Sequence, residues 1–391
     1  MELVEVACAV CGNEEAEPVY SRAHETGSAL GRLTVRLVLC RCGFLYANPR
    51  PSRTDLQAYY EGGEHASGAT YHEVCAGSRH SRLSEQRAAF LARWLAELAG
   101  GTLLDVGCGR GDLLAMLDLP RWGKVGLEPS PAAAAAARAR GIEVIEARLD
   151  DHRQGSFDPM EFDAVACISV LEHAFDPRVA LERLAALLAP DGLLFLEVPD
   201  SLRPVPQIAE FFSFEHLSHF TSGSLERLLS SSGFETLALE RDEDFSGLRA
   251  CARKIEGPVE THAGDREELE RALNEYQAAR AGLERDLQRR LAPWIARWEA
   301  ESKRVAIFGA GVHTRFLLDL IDFGACVACV LDSDPAKRGT RFLRWDVHGP
   351  DEAAALGLDA IVVSSQAYQE EMLQAVAHLE GSGVELVGCY P

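Results

Sequence analysis

Leu103-Leu104-Asp105-Val106-Gly107-Cys108-Gly109-Arg110-Gly111 is an apolar run that ends in three alternate glycines. The branched residues predict a buried strand, and the glycines predict a tight turn whose backbone approaches a ligand with no Cβ in the way. A helix follows from Asp112, and the next strand, Lys124 to Glu128, ends in a carboxylate suited to both hydroxyls of a ribose. The alternation continues through the alanine run from Pro131 to Arg140, a strand at Glu143 to Ala147, and another at Phe162 to Val170. A helix at Pro177 to Leu188 and a strand at Leu193 to Val198 complete it. Strands alternating with helices build a parallel sheet covered on both faces, so the fold class is α/β. A helix at Ser222 to Ser231 then precedes two strands, Glu235 to Arg241 and Gly247 to Arg253, whose short connection makes them antiparallel.

Upstream, Phe90, Leu91, Trp94, Leu95 and Leu98 recur at helical spacing within a helix predicted from Ser81 to Ala99. Residues 1–80 are rich in turn formers around a strand at Leu33 to Leu39, and they hold two close cysteine pairs, Cys8-x2-Cys11 and Cys40-x-Cys42. Four thiolates at this spacing suit a closed, tetrahedral structural zinc, and the alternative is four reduced core cysteines. Cys108, Cys326 and Cys329 read as packing residues. Downstream, residues 258–304 mix acids and bases among leucines and alanines, which predicts an exposed helical linker broken near Pro293. A second strand-helix series, residues 305–391, reads as a half-sized Rossmann-like domain. The domains expected are therefore 1–80, 81–257, 258–304 and 305–391.

The chain has 391 residues, 47% of them hydrophobic and 25% charged, as in an ordinary globular protein of two or three domains. Lys plus Arg is 39 against 60 Asp plus Glu, and the net charge of -21 repels polyphosphate, so no nucleic-acid partner is expected. The N-terminus is acidic where a signal peptide needs bases, and no uncharged run is long enough for a membrane span. The expected location is cytoplasmic, where eleven cysteines do not form a disulfide framework.

The glycine-rich segment with Glu128 resembles the class I S-adenosylmethionine-dependent methyltransferases. That resemblance implies cofactor roles for Asp105, Gly107, Gly109, Gly111 and Glu128, with Asp150 beside the adenine and Ser169 at the mouth of the fourth strand. The order of zinc lobe, methyltransferase core and Rossmann-like domain resembles the C-methyltransferases of nucleotide-linked deoxysugar pathways, over nearly the whole chain. In that family an insert after the fifth strand carries Tyr-x-Glu-His, and here residues 199–220 contain Ser213-Phe214-Glu215-His216-Leu217-Ser218-His219. The resemblance implies that His216, beside Glu215, removes the proton next to a ketone of a nucleotide-linked 4-keto sugar. Ser213 stands where the family has the tyrosine that steadies the enolate.

His219 either contributes to the substrate pocket or caps the next helix. His173, in Leu171-Glu172-His173, reads as a helix-start or packing residue, and so does Glu172. Tyr71, with Tyr59 and Tyr60, forms an aromatic cluster that either lies over the sulfonium or substrate or packs the lobe onto the core. In the C-terminal domain, Gly309, Gly311 and His313 open a helix where free amides hold a phosphate, or the turn is a nucleotide fold kept for its shape. The leading function is methyl transfer to a small sugar-like molecule. Alternatives are O-methylation of a sugar or other secondary metabolite, an NAD-dependent oxidoreductase using Asp332, and a non-catalytic zinc-bearing assembly protein.

Overall fold

Leu103 and Leu104 are adjacent in sequence and both fully buried, which in a strand requires cover on both faces of the sheet. The computed structural model shows that cover; it describes residues 1–25, 31–61, 79–149, 161–206, 211–242, 245–255, 265–366 and 368–391. The central sheet has seven strands: β1 (Gly101–Val106), β2 (Trp122–Leu127), β3 (Glu143–Ile145), β4 (Phe162–Ile168), β5 (Leu188–Pro199), β6 (Phe234–Arg241) and β7 (Gly247–Lys254). Their spatial order is β6-β7-β5-β4-β1-β2-β3. β1 to β5 are parallel, and β7 runs antiparallel to both β5 and β6, as the short connection requires.

One face of the sheet carries Leu103, Ala164, Ala166, Leu193 and Phe195 against Phe90, Leu91 and Leu95 of the helix Arg79–Leu95 and Ala134 and Ala137 of the helix Pro131–Ala139. The small alanines let that second helix sit close, and its start is fixed by Ser130, which caps the amide of Ala133, followed by Pro131. The other face carries Leu104, Val106, Val165, Cys167, Leu194 and Leu196. Ala180, Leu181 and Leu184 of the helix Pro177–Leu187 cover it, together with Val38, Phe44 and Tyr46 from the N-terminal lobe. Each such leucine contributes roughly 1.5–3 kcal/mol by leaving water.

The lobe is built on a hairpin, Ala16–Glu25 with Arg32–Cys40, extended by Leu45–Ala47. Its fourth strand comes from far along the chain: Ser218 and His219, in the insert after β5, pair antiparallel with Tyr46 and Leu45. That pairing fixes where the insert lies over the core.

The chain divides into two units, residues 1–204 with 214–273, and residues 205–213 with 274–391. The second contains a six-stranded sheet in the order Arg341–Phe342, Trp345–His348, Val327–Leu331, Val305–Phe308, Ala360–Val363 and Glu385–Gly388. All neighbours are parallel except the first pair. The expected linker break at Pro293 is not found. A single helix runs from Arg266 to Ala300 through the proline, and Leu287, Leu291, Ile295 and Trp298 are buried in the core of the second unit. Packing on both sides of the proline holds the helix despite the one backbone hydrogen bond it removes. No helix among the described residues is long and apolar enough to cross a membrane.

Candidate functional site

The turn after β1 places Gly107, Gly109 and Gly111 in the left-handed region, at φ of 73°, 54° and 79°. A Cβ on Gly107 would lie 2.5 Å from Val170 Cγ2, and one on Gly111 would lie 2.3 Å from Ile142 Cδ1. Sterics and backbone conformation therefore both require glycine at these two places. Glu128 at the end of β2 fastens the turn. Its side chain is fully buried, and its two carboxylate oxygens accept hydrogen bonds from the amides of Gly109 (2.9 Å) and Ser130 (2.8 Å). Asp105 is buried in β1, and burial raises its carboxyl to about 7, with Arg87 opposing the shift and Glu128 adding to it.

Ser169, at the tip of β4, has a φ of 55°, and its amide donates to the carbonyl of Glu197 (2.8 Å). Its hydroxyl receives Arg87 Nη2 at 3.2 Å. Glu197 is buried in β5 between Arg87 and Arg249, and Arg249 also meets Asp242 at 2.6 Å. Sequence reading missed this ion network. The available signal was one acid inside the apolar stretch Leu193 to Val198.

Beyond Ser169 the chain turns through Leu171–His173, and the insert brings Glu215 and His216 to the same place. Leu217 donates to the carbonyl of Glu172 (2.8 Å), which joins the two segments. The His173 and His216 rings lie 4.8 Å apart, centre to centre. His173 Nδ1 lies 3.0 Å from the carbonyl oxygen of Glu215 and 3.3 Å from the hydroxyl of Tyr60, and Tyr59 hydrogen-bonds the Glu215 carboxylate. Glu172 is buried, and burial raises its carboxyl. Thus His173 and Glu172, read from sequence as helix-start or packing residues, lie in a short helix and stand beside His216 and Glu215.

His219 is buried behind them, and burial holds its imidazole well below the usual range. It does not cap the following helix. Thr221 does, in a reciprocal box with Ser224, because strand pairing holds His219 against Leu45 instead. Ser213 is buried and falls in the second unit by contact. Tyr71 and Asp150 lie outside the described residues.

The sulfurs of Cys8, Cys11, Cys40 and Cys42 all lie within 4.8 Å of one another, with Cys8–Cys42 and Cys11–Cys40 at 3.5 Å. Each pair sits on a turn closed by a glycine of positive φ, Gly12 and Gly43, whose amides donate to the carbonyls of Cys8 and Cys40. Ligands of a tetrahedral zinc with Zn–S of about 2.3 Å stand ~3.8 Å apart, so the donor set fits that ion.

In the second unit, Gly309 has a φ of 121° and Gly311 is extended, opening the helix Val312–Leu320. His313 binds Ser364 Oγ (2.9 Å) and the Tyr390 hydroxyl (2.6 Å) through its two ring nitrogens. Thr314, where a third glycine was lacking, is fully buried and donates to the carbonyl of Gly309.

Residues 80–239 match a family described as "Methyltransferase domain". This part of the chain is thus similar to methyltransferase domains. The ubiquinone biosynthesis O-methyltransferase of Aeromonas salmonicida is 31% identical over 113 residues, 26% of this chain and 47% of that protein. Its counterpart from Alkalilimnicola ehrlichii is 37% identical over 108 residues, 26% of this chain and 43% of that protein. The chain thus spans less than half the length of these relatives. Among solved structures, a Burkholderia thailandensis 1,6-didemethyltoxoflavin-N1-methyltransferase is similar at 19% identity and a TM-score of 0.41, over 62% of this chain and 100% of that one. The magnesium protoporphyrin IX methyltransferase of Synechocystis, with its S-adenosylmethionine bound, is similar at 17% identity and a TM-score of 0.38, over 51% and 96%.

The turn after β1 fits the S-adenosylmethionine that the sequence resemblance implies: its glycines leave the backbone bare, and the Glu128 carboxylate stands at the end of the next strand, fastened to the amides of Gly109 and Ser130.

Proposed function

We propose that the protein transfers a methyl group from S-adenosylmethionine to a carbon of a small nucleotide-linked keto sugar, with His216 as the base. The observation that supports this is the meeting of His216 and Glu215 with His173, Tyr59 and Tyr60 just beyond the end of β4. S-adenosylmethionine supplies the electrophilic methyl group. Asp105, Gly107, Gly109, Gly111, Glu128 and Ser169 hold it, with Asp150 expected to help.

His216 takes the proton next to the ketone, an imidazole being suited to this near neutral pH. The Glu215 carboxylate, held by the Tyr59 hydroxyl, fixes the segment that presents it. Cys8, Cys11, Cys40 and Cys42 hold a zinc that stabilises the lobe on which the insert is strung. A second reading, O-methylation of a sugar or other small hydroxylated molecule, is favoured by Ser213 standing in place of the tyrosine and by the names of the two relatives.

Incubation of a keto sugar in deuterated water without methyl donor separates the two readings. Carbon acid chemistry predicts exchange of the proton beside the ketone, and loss of both exchange and ~100-fold or more of turnover in His216→Ala. A product methylated on oxygen, with no exchange, would leave a methyltransferase of the second kind.

A further inference from the structure

Glu172, His173 and His216 each offer one donor atom, and the three atoms lie within 4.8 Å of one another. Glu172 is buried, and its Oε2 meets no hydrogen-bond donor among the described residues, while Oε1 lies 4.0 Å from His173 Nε2. A carboxylate oxygen left bare in the interior is costly and calls for a proton or a cation.

The histidine beside it is already in the tautomer that a cation needs. The Glu215 carbonyl can only accept, so the 3.0 Å contact puts the proton of the neutral ring on Nδ1 and leaves the lone pair on Nε2, the nitrogen that faces Glu172. Metal-ligating histidines are held in this way, with the second ring nitrogen donating to a backbone carbonyl. The Tyr60 hydroxyl, 3.3 Å from the same Nδ1, braces the ring further.

We infer that Glu172, His173 and His216 bind a divalent first-row cation through one carboxylate and two imidazoles, leaving open positions for an oxygen of the methyl acceptor. Two imidazoles and a carboxylate without a thiolate favour manganese, iron or zinc chemistry, distinct from the all-sulfur set of Cys8, Cys11, Cys40 and Cys42. The separation of 4.0 Å between Nε2 and Oε1 exceeds the ~3 Å between neighbouring ligands around such an ion, so binding would draw the side chains together.

The site also adjoins the cofactor turn. Val170, whose Cγ2 occupies the space a Cβ on Gly107 would need, is two residues before Glu172. The inference rests on the second reading, O-methylation, with the acceptor hydroxyl entering here. In that reading His216 would act by holding the ion that acidifies the acceptor.

Manganese is the probe, because thiolate sites disfavour it. Titrating the full-length protein while following free Mn2+ by electron paramagnetic resonance should show about one ion bound per chain. Binding should weaken by ~100-fold in Glu172→Gln and in His216→Ala. Should the buried substitution fail to fold, the half-exposed His216→Ala decides the matter, with circular dichroism as the folding control. Manganese that stays free, or that binds the wild type and His216→Ala equally, overturns the inference. Calorimetry with S-adenosylmethionine on the same samples tests the methyltransferase reading separately. Cofactor binding without manganese refutes only the cation site, and manganese binding without cofactor binding supports the site while removing the methyl-transfer reading.

Discussion

Changing Glu128 to glutamine alters one atom at a position with no exposed surface. The two carboxylate oxygens accept amides at 2.9 Å and 2.8 Å, one from Gly109 in the first turn and one from Ser130 at the start of the next helix. Glutamine has a single acceptor. Whichever way it is flipped, its NH2 faces one of those amides, donor against donor, and the surviving hydrogen bond becomes neutral. A hydrogen bond to a charged group contributes ~1.5–3 kcal/mol, and an amide left buried without an acceptor costs ~1–3 kcal/mol.

Since the two amides belong to different loops, the loss should loosen the turn as well as remove a cofactor contact. We expect Glu128→Gln to lower unfolding stability by ~2–5 kcal/mol. Its affinity for S-adenosylmethionine should fall by at least ~30-fold, the equivalent of ~2 kcal/mol. Urea denaturation reads the first and isothermal calorimetry the second. A variant that unfolds at the same urea concentration and binds the cofactor as tightly as the wild type would refute the fastening role and the ribose role together.

Elemental analysis of protein purified without chelator should find about one zinc per chain in the wild type, with loss of the zinc and of lobe stability in Cys42→Ser; a fully folded, metal-free wild type would overturn the four-thiolate assignment. His313 is held down to about 4 from an ordinary 6.5 by burial, so the unfolded chain takes up a proton between those values and the folded chain does not. Stability from this group is therefore full above pH 6.5 and declines as pH falls toward 4. The difference between wild type and His313→Gln in urea melts across that range should show it, and parallel pH profiles would count against it. NAD should leave the melting temperature unchanged, whereas a rise that grows with NAD concentration would restore the oxidoreductase reading.

The sheet was readable because its signals are local. Strands such as β5, with Leu193-Leu194-Phe195-Leu196, carry continuous apolar runs, and helix starts are marked by Ser130-Pro131 and Asp176-Pro177. The long helix was misjudged because composition reports the exposed side. The recurrence of Leu287, Leu291, Ile295 and Trp298 at intervals of three and four gives its buried stripe, which outweighs the proline. The histidine pair was out of reach for a different reason. His173 and His216 meet where Ser218 and His219 add a strand to the sheet of the N-terminal lobe and Leu217 bonds the carbonyl of Glu172, and nothing within the insert specifies those partners. Long-range pairing depends on matching edges, which leave no periodic mark in either segment.

The two glycine turns of the chain are fastened by the same device, and the difference between them bears on which one receives a nucleoside. In the second turn Asp332 takes the place of Glu128. One of its oxygens accepts the amide of Ala310 in the turn at 2.8 Å, and the other accepts the amide two residues on, Asp334, at 2.9 Å. Glu128 does the same with Gly109 and Ser130. At Asp332, however, Lys337 Nζ lies 3.1 Å from the oxygen that also holds Ala310, and it donates to the carbonyl of Ala310 at 2.9 Å. The chain's own ammonium thus takes the second lone pair of that oxygen and neutralises the carboxylate. A dinucleotide bound there would have to compete with that ion pair for the carboxylate. The sequence signals, an acid after the second strand in each half, are alike. What marks the second turn is a lysine five residues downstream, and only its folded position shows that it pairs with Asp332.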